Sequence, residues 1–143
     1  TGVPLIIAGH TGSQAYADLV AEAGGGTTSL IGRVAPGSRD LLWLYQNCAA
    51  FLSFSWAEGA SLATLEAAAC GAPLVLTDLS GEQGYFGEMA RYTGPLATDD
   101  AVAAIRAAIG VPADRQKQHR YIAARYGWDA HLAGLSAIYE ALL

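Results

Sequence analysis

Positive charge is what this sequence has least of. Eight lysines and arginines stand against thirteen aspartates and glutamates, for a net charge of −5. A nucleic-acid-binding face needs a dense basic patch, and so few cations do not supply one. Any phosphate site must therefore find much of its positive character elsewhere. Cysteine is also sparse: Cys48 and Cys70 lie far apart, with no partner at metal-ligand spacing. They read as two small, buried, reduced thiols of a cytoplasmic protein. No apolar run approaches the length that spans a bilayer, and the N-terminus lacks the charged-then-apolar pattern of a secretory signal. Internal repeats and low-complexity segments are likewise missing.

What is present is apolar: 52% of the 143 residues are hydrophobic and 15% charged. That balance describes one globular domain large enough to bury a core. The chain opens abruptly, Thr1-Gly2-Val3 running straight into PLIIAG without an initiator methionine. It is expected to be a piece of a longer protein.

Short apolar runs alternate with helical patterns. PLIIAG (4–9) reads as a buried strand, and SQAYADLVAEAG as a helix ended by the glycine run 24–26. TTSLIG (27–32) is a second strand. Ser38 is placed to cap a helix, SRDLLWLYQNC, whose Leu41, Leu42, Leu44 and Tyr45 can face a sheet. AAFLSFS (49–55) and PLVLTD (73–78) are further strands, with an alanine-rich helix between them that stops at Cys70-Gly71. A glycine-rich loop, LSGEQGYFGE, leads to a short fifth strand in ARYTGP. Helices are expected from Thr98 or Asp99 to about Ile109, from Pro112, and from Asp129 to Leu143 with Trp128 at its start. This alternation predicts an α/β fold: a Rossmann-like parallel sheet with helices on both faces. In such folds ligands bind beyond the carboxyl ends of the strands, where loops feed helix N-termini.

One such loop opens EGASLATLEAAACG (58–71). Gly59 and Ala60 carry almost no side chain, so amides from Ala60 to Leu62 can meet a ligand unobstructed. Free amides at a helix start, aided by the macrodipole, attract anions, and Ser61 adds a hydroxyl. Glu58 and Glu66 flank this start, roughly 12 Å apart if the stretch is wholly helical. The pair suits a diphosphate carrying a polyhydroxyl group at each end. Two such glutamates are also ordinary on a helix, one complementing the dipole and one solvated. The helix is nearly chargeless apart from Glu66, however, so Glu66 is expected to be buried, with no partner on its own helix.

The segment EGASLATLEAAACGAPLVLTD resembles the signature of the retaining nucleotide-sugar glycosyltransferases of the GT-B fold, the glycosyl transferases group 1 (family 4-like). That signature runs Glu, seven residues, Glu, then Ala-x-Ala/Ser-Cys-Gly-x-Pro-Val/Leu-Val. PLIIAGHTG, SLIGRV, LLWLYQNCAAFLSFSWAEG, GEMARYTGP and YGWDAHLAGLSAIYEALL resemble its other motifs, in order along nearly the whole chain.

The resemblance implies that residues 1–143 are the C-terminal, donor-binding half of a two-domain enzyme. That enzyme would transfer a hexosyl group from a nucleoside-diphosphate sugar, UDP- or GDP-linked, to an acceptor with retention of configuration. Polysaccharide or glycoconjugate synthesis would be its setting. By the same resemblance Glu66 would hold ribose and Glu58 the transferred sugar, as the catalytic-site glutamate. Gly59, Ala60, Ser61 and Leu62 would meet the diphosphate. The backbone of Arg33 and Val34 would lie near the base, with Gly9 and Gly12 lining the cleft. No metal and no cofactor are implied, because helix amides and basic residues stabilise the departing diphosphate. The partner is the missing N-terminal acceptor-binding domain, through which any peripheral membrane contact would be made; nucleic acid is not a partner. The isolated half is expected to be inactive.

The chain also departs from the pattern. Ala60-Ser61 stands where Phe-Gly is usual, Ala63 replaces a common proline, and Ser80-Gly81-Glu82-Gln83-Gly84 replaces Gly-Gly-x-Pro-Glu. These departures leave room for an alternative, a non-catalytic Rossmann-like module kept for protein–protein contact. Among the remaining side chains, His10 reads as a loop histidine, Asp78 as a cap for the next loop, and Ser61 lacks a histidine base. Trp43, Tyr45 and Trp128 read as core.

Overall fold

The computed structural model describes residues 2–111 and 114–142. Its elements alternate as the patterning predicts: β1 (Leu5–Ala8), α1 (Gln14–Gly24), β2 (Thr28–Gly32), α2 (Arg39–Asn47), β3 (Phe51–Ser53), α3 (Leu62–Ala69) and β4 (Leu74–Thr77). There follow α4 (Gln83–Phe86), a 3₁₀ turn (Gly87–Met89), β5 (Ala90–Thr93), α5 (Thr98–Ile109), α6 (Arg115–Tyr126) and α7 (Trp128–Leu142). The start expected at Pro112 lies outside the described residues, as does Leu143. The chain divides into two compact units, Thr1–Trp43 and Leu44–Leu143, and the division falls inside α2.

In the first unit β1 and β2 pair in parallel, Leu5 opposite Thr28 and Ile7 opposite Leu30, with a register shift before Ala8. Ser13 caps α1 by accepting from the Tyr16 N–H at 3.4 Å. Gly25 ends the helix in the left-handed conformation, φ 55°. Ser38 caps α2 as expected, accepting from the Leu41 N–H at 3.2 Å. The strand expected to be buried is not: Leu5, Ile6 and Ile7 are all exposed. A sheet of two short strands leaves each of them an edge, and α1 packs against β2. Trp43 also departs from the core expectation at 61% exposed, as does Leu42.

The second unit holds the core. Its strands run β3-β4-β5, all parallel, with Leu52 opposite Val75 and Leu76 opposite Tyr92. Successive strand residues point to opposite faces, and all four residues of β4 are at most 2% exposed. Both faces of the central strand are therefore covered. The helices responsible include α3, packed on β3 and β4, and α5, packed on β4 and β5. The loop after β4 is more ordered than its glycines suggest, since α4 and the 3₁₀ turn fold within it and bury Phe86. Asp114 caps α6, accepting from the Lys117 N–H at 2.9 Å. Trp128 is the second tryptophan to leave the expected core, 78% exposed at the start of α7.

A single corner links α3 to β4. The Gly71 N–H donates to the Ala68 carbonyl (2.9 Å) and the Ala72 N–H to that of Ala67 (3.0 Å). This is the Schellman pattern, which needs a left-handed residue, and Gly71 supplies it with φ 75°. A Cβ on Gly71 would also stand 2.7 Å from the Arg115 Cα.

Two outcomes follow from these contacts. Gly71→Ala should lower unfolding stability by about 1–3 kcal/mol, from backbone strain and the clash with α6; an unchanged urea midpoint would contradict the corner's role. In hydrogen exchange, the β4 amides should be protected about tenfold or more beyond those of β1, and equal rates would refute the difference in burial.

Candidate functional site

The loops after β3 and β4 meet at the carboxyl end of the second unit's sheet. Glu58, half-buried, accepts from the Ser55 hydroxyl through Oε1 at 3.1 Å. Its carbonyl accepts from the Gly81 N–H at 3.1 Å. Gly81 lies so close to this segment that a Cβ there would contact the carbonyls of Glu58 and Gly59 at 3.8 and 3.9 Å. The backbone of Glu58 is thus tied to the loop that follows the central strand.

The helix begins later than the sequence suggests. Ser61 is its N-cap, in extended conformation, and its hydroxyl accepts from the Thr64 N–H at 3.4 Å. Glu58, Gly59 and Ala60 therefore belong to the approach, and Gly59 and Ala60 are exposed. In an α-helix the first amides have no intrahelical acceptor. The cap satisfies that of Thr64, and the Leu65 N–H reaches the Ser61 carbonyl. Among the described residues, the amides of Leu62 and Ala63 are then the donors left without an acceptor, beside a Leu62 side chain that is 75% exposed. The arrangement can offer an anion two N–H groups and the positive end of a helix dipole.

Glu66 differs from expectation in its burial, and its partner comes from another helix. It is exposed, and its carboxylate has a partner: the Tyr45 hydroxyl donates to Oε2 at 3.2 Å. The partner comes from α2, 21 residues upstream, so the composition of α3 carries no sign of it. Tyr45 itself is buried and edge-on to Phe51, ring centroids 5.9 Å apart. Burial, with the adjacent Glu66 carboxylate, pushes its hydroxyl up to about 12. Cys48 and Cys70 lie on the same side of the unit as free, half-buried thiols. Burial raises both thiols; the Glu66 carboxylate adds to the effect at Cys70, while the Arg115 guanidinium partly opposes it at each.

The fully buried carboxylate is one that sequence reasoning did not single out. Glu82 has no exposed surface. Its Oε2 accepts from the Ser80 hydroxyl at 3.2 Å, and its N–H donates back to that oxygen at 3.3 Å. Among the described residues its Oε1 is buried without a partner. Nothing in the sequence separates it from Glu88, which is exposed in the same loop. Among the described residues the Asp78 carboxylate accepts from no N–H of the loop it was expected to cap, and the Leu79 N–H goes to the Thr77 hydroxyl at 3.2 Å.

Gly9, Gly12, Arg33 and Val34 belong to the first unit. The Gly9 N–H donates to the Gly32 carbonyl at 2.8 Å, which brings the turn after β1 beside the backbone leading into Arg33. Gly9, His10, Gly12 and Arg33 are exposed and Val34 is half-buried.

A tyrosine held protonated by its fold has a defined pH signature. The folded value of Tyr45 lies above its ordinary 10, so its contribution to stability is complete below about pH 10 and lost as pH rises towards 12. Tyr45→Phe should flatten the fall in melting temperature across that window and remove the last tyrosinate step from an absorbance titration. An unchanged titration would contradict the assignment.

Comparison with known proteins identifies the family. The family model described as "Glycosyl transferases group 1" matches residues 2–111. No curated protein matches the sequence. Among solved structures the chain is similar to AviGT4, a glycosyltransferase involved in avilamycin A biosynthesis, with 25% identity and a TM-score of 0.70. The match covers 95% of this chain and 42% of that one. The parallel strands flanked by helices are those of a Rossmann-like half of a GT-B fold, and the chain belongs to the glycosyl transferases group 1 family.

Proposed function

We propose that this chain is the donor-binding half of a retaining hexosyltransferase, completed by a separate acceptor-binding domain elsewhere in the enzyme. The observation that carries the reading is the start of α3, where Ser61 caps the helix and, among the described residues, nothing accepts from the Leu62 and Ala63 amides between Glu58 and Glu66. A chain with eight cations against thirteen anions has reason to hold a diphosphate with backbone N–H groups, which carry no counter-charge to desolvate.

On this reading the Gly59–Leu62 segment faces the diphosphate, and amides and dipole stabilise its charge as the sugar departs, without a metal. Glu66 accepts from ribose hydroxyls, and Glu58, steadied by Ser55, from hydroxyls of the transferred sugar. Family likeness alone supports donor roles for Gly9, Gly12, Arg33 and Val34. In the assembled enzyme the bond from the anomeric carbon to the diphosphate breaks and a bond to an acceptor hydroxyl oxygen forms on the same face, the hydroxyl's proton passing to the departing diphosphate. The isolated half should bind donor and not turn it over.

Calorimetric titration of the chain with UDP, GDP and their glucose and mannose conjugates tests this. Saturable binding is expected with at least one, weakened roughly tenfold by Glu66→Ala. Glu58→Ala should weaken the sugar conjugate more than the free diphosphate. Absence of saturable binding to all six would overturn the reading.

A further inference from the structure

Tyr45 is a buried side chain, outside the stretch so far assigned, whose one polar atom reaches into it. We propose that Tyr45 is a positioning residue for donor recognition: its hydroxyl holds Glu66 by Oε2 and presents Oε1 to the ribose diol. The proposal rests on the reading of Glu66 as the ribose-binding carboxylate.

The geometry makes Tyr45 a fixed post. Its ring is buried and packed edge-on to Phe51 at an interplanar angle of 67°. One turn further along, the Cys48 carbonyl accepts from Arg115 Nη2 at 3.2 Å, which fastens the end of α2 to α6. Glu66, by contrast, is exposed. An exposed glutamate samples several rotamers, and a ligand that needs one of them must bear the ordering cost. The 3.2 Å bond from Tyr45 to Oε2 bears that cost in the unliganded protein.

The chemistry of the post also matters. An arginine or lysine would orient the carboxylate but neutralise it, weakening it as an acceptor for uncharged hydroxyls. A tyrosine hydroxyl orients it and leaves the charge in place. It remains a donor throughout the neutral range, since its hydroxyl titrates at about 12. With Oε2 engaged, Oε1 is the oxygen turned over to two vicinal O–H donors.

Tyr45→Phe removes the hydroxyl while keeping the ring, its burial and its contact with Phe51. Wild type, Tyr45→Phe and Glu66→Gln are titrated with UDP and GDP and with the 2′,3′-dideoxy form of each. The wild type should prefer the ribose form, and Tyr45→Phe should lose roughly three- to tenfold of affinity for it. Affinity for the dideoxy form should not change. Equal losses for both forms would indicate a general structural effect and overturn the proposal. If Glu66→Gln abolishes the preference and Tyr45→Phe keeps it, the proposal falls and the ribose reading stands. If the wild type shows no preference, both fall.

Discussion

The second unit turns on the left-handed backbone at Gly71. That residue lets α3 stop with its last carbonyls satisfied and sends the chain within three residues into β4, the most deeply buried strand. It also leaves the space that the Arg115 backbone occupies, so α6 is seated against the same corner. Two further bonds from α6 reinforce the seat. Gln118 donates to the Ala72 carbonyl at 2.8 Å, and a His119 ring nitrogen lies 2.7 Å from the Ala69 carbonyl. A side chain at Gly71 would disturb the helix end, the strand and the neighbouring helix at once, because one close approach serves all three.

The features proposed for ligand binding follow from that corner. With the C-terminal end of α3 fixed against β4 and α6, its N-terminal end is fixed too, because an eight-residue helix behaves as a short rigid rod. Ser61 then decides where the free amides fall, by spending its hydroxyl on Thr64 and leaving Leu62 and Ala63. The loop after β4 sets the approach from the other side, through the bond from Gly81 to the Glu58 carbonyl. That loop is organised around the buried Glu82, whose carboxylate and N–H both engage Ser80. A buried carboxylate with one oxygen unpaired is costly. The loop that touches Glu58 is thus held together by buried polar contacts.

Much of this was legible in the sequence, for identifiable reasons. Alternation of apolar runs with helical periodicity placed the strands and helices, because those periods reflect backbone geometry directly. Ser38 could be read as a cap, and Gly24–Gly26 and Gly71 as helix ends, because capping chemistry is local. What escaped was set by contacts distant along the chain. Glu66 looked partnerless because its partner, Tyr45, sits on another helix. It looked buried because alanine-rich helices usually are, yet Ala67 and Ala68 face inward while Glu66 faces out. Burial of β1 was inferred from four apolar residues, and a run of that kind cannot show how many strands will flank it. Glu82 and Glu88 are equivalent in composition and opposite in burial. Trp43 and Trp128 illustrate the same limit, since tryptophan at a helical position does not say which way the helix will turn.

The exposure of Glu66 changes the kind of device it can be. A buried carboxylate awaiting a partner would pay a desolvation cost in the empty protein and recover it on binding. An exposed carboxylate tethered by a buried phenol avoids most of that cost. It stays hydrated and accessible, and the tether restricts its direction rather than its charge. On the proposed reading, selectivity for a diol would come from geometry, because a hydrated carboxylate held at one oxygen gains from two adjacent hydroxyl donors what a freely rotating one would lose to ordering. The rigid part of that arrangement, the Tyr45 ring packed on Phe51, is buried. The soft part, the glutamate, is exposed. On the reading proposed above, this division suits a site that admits and releases a large polar donor better than a closed polar core would.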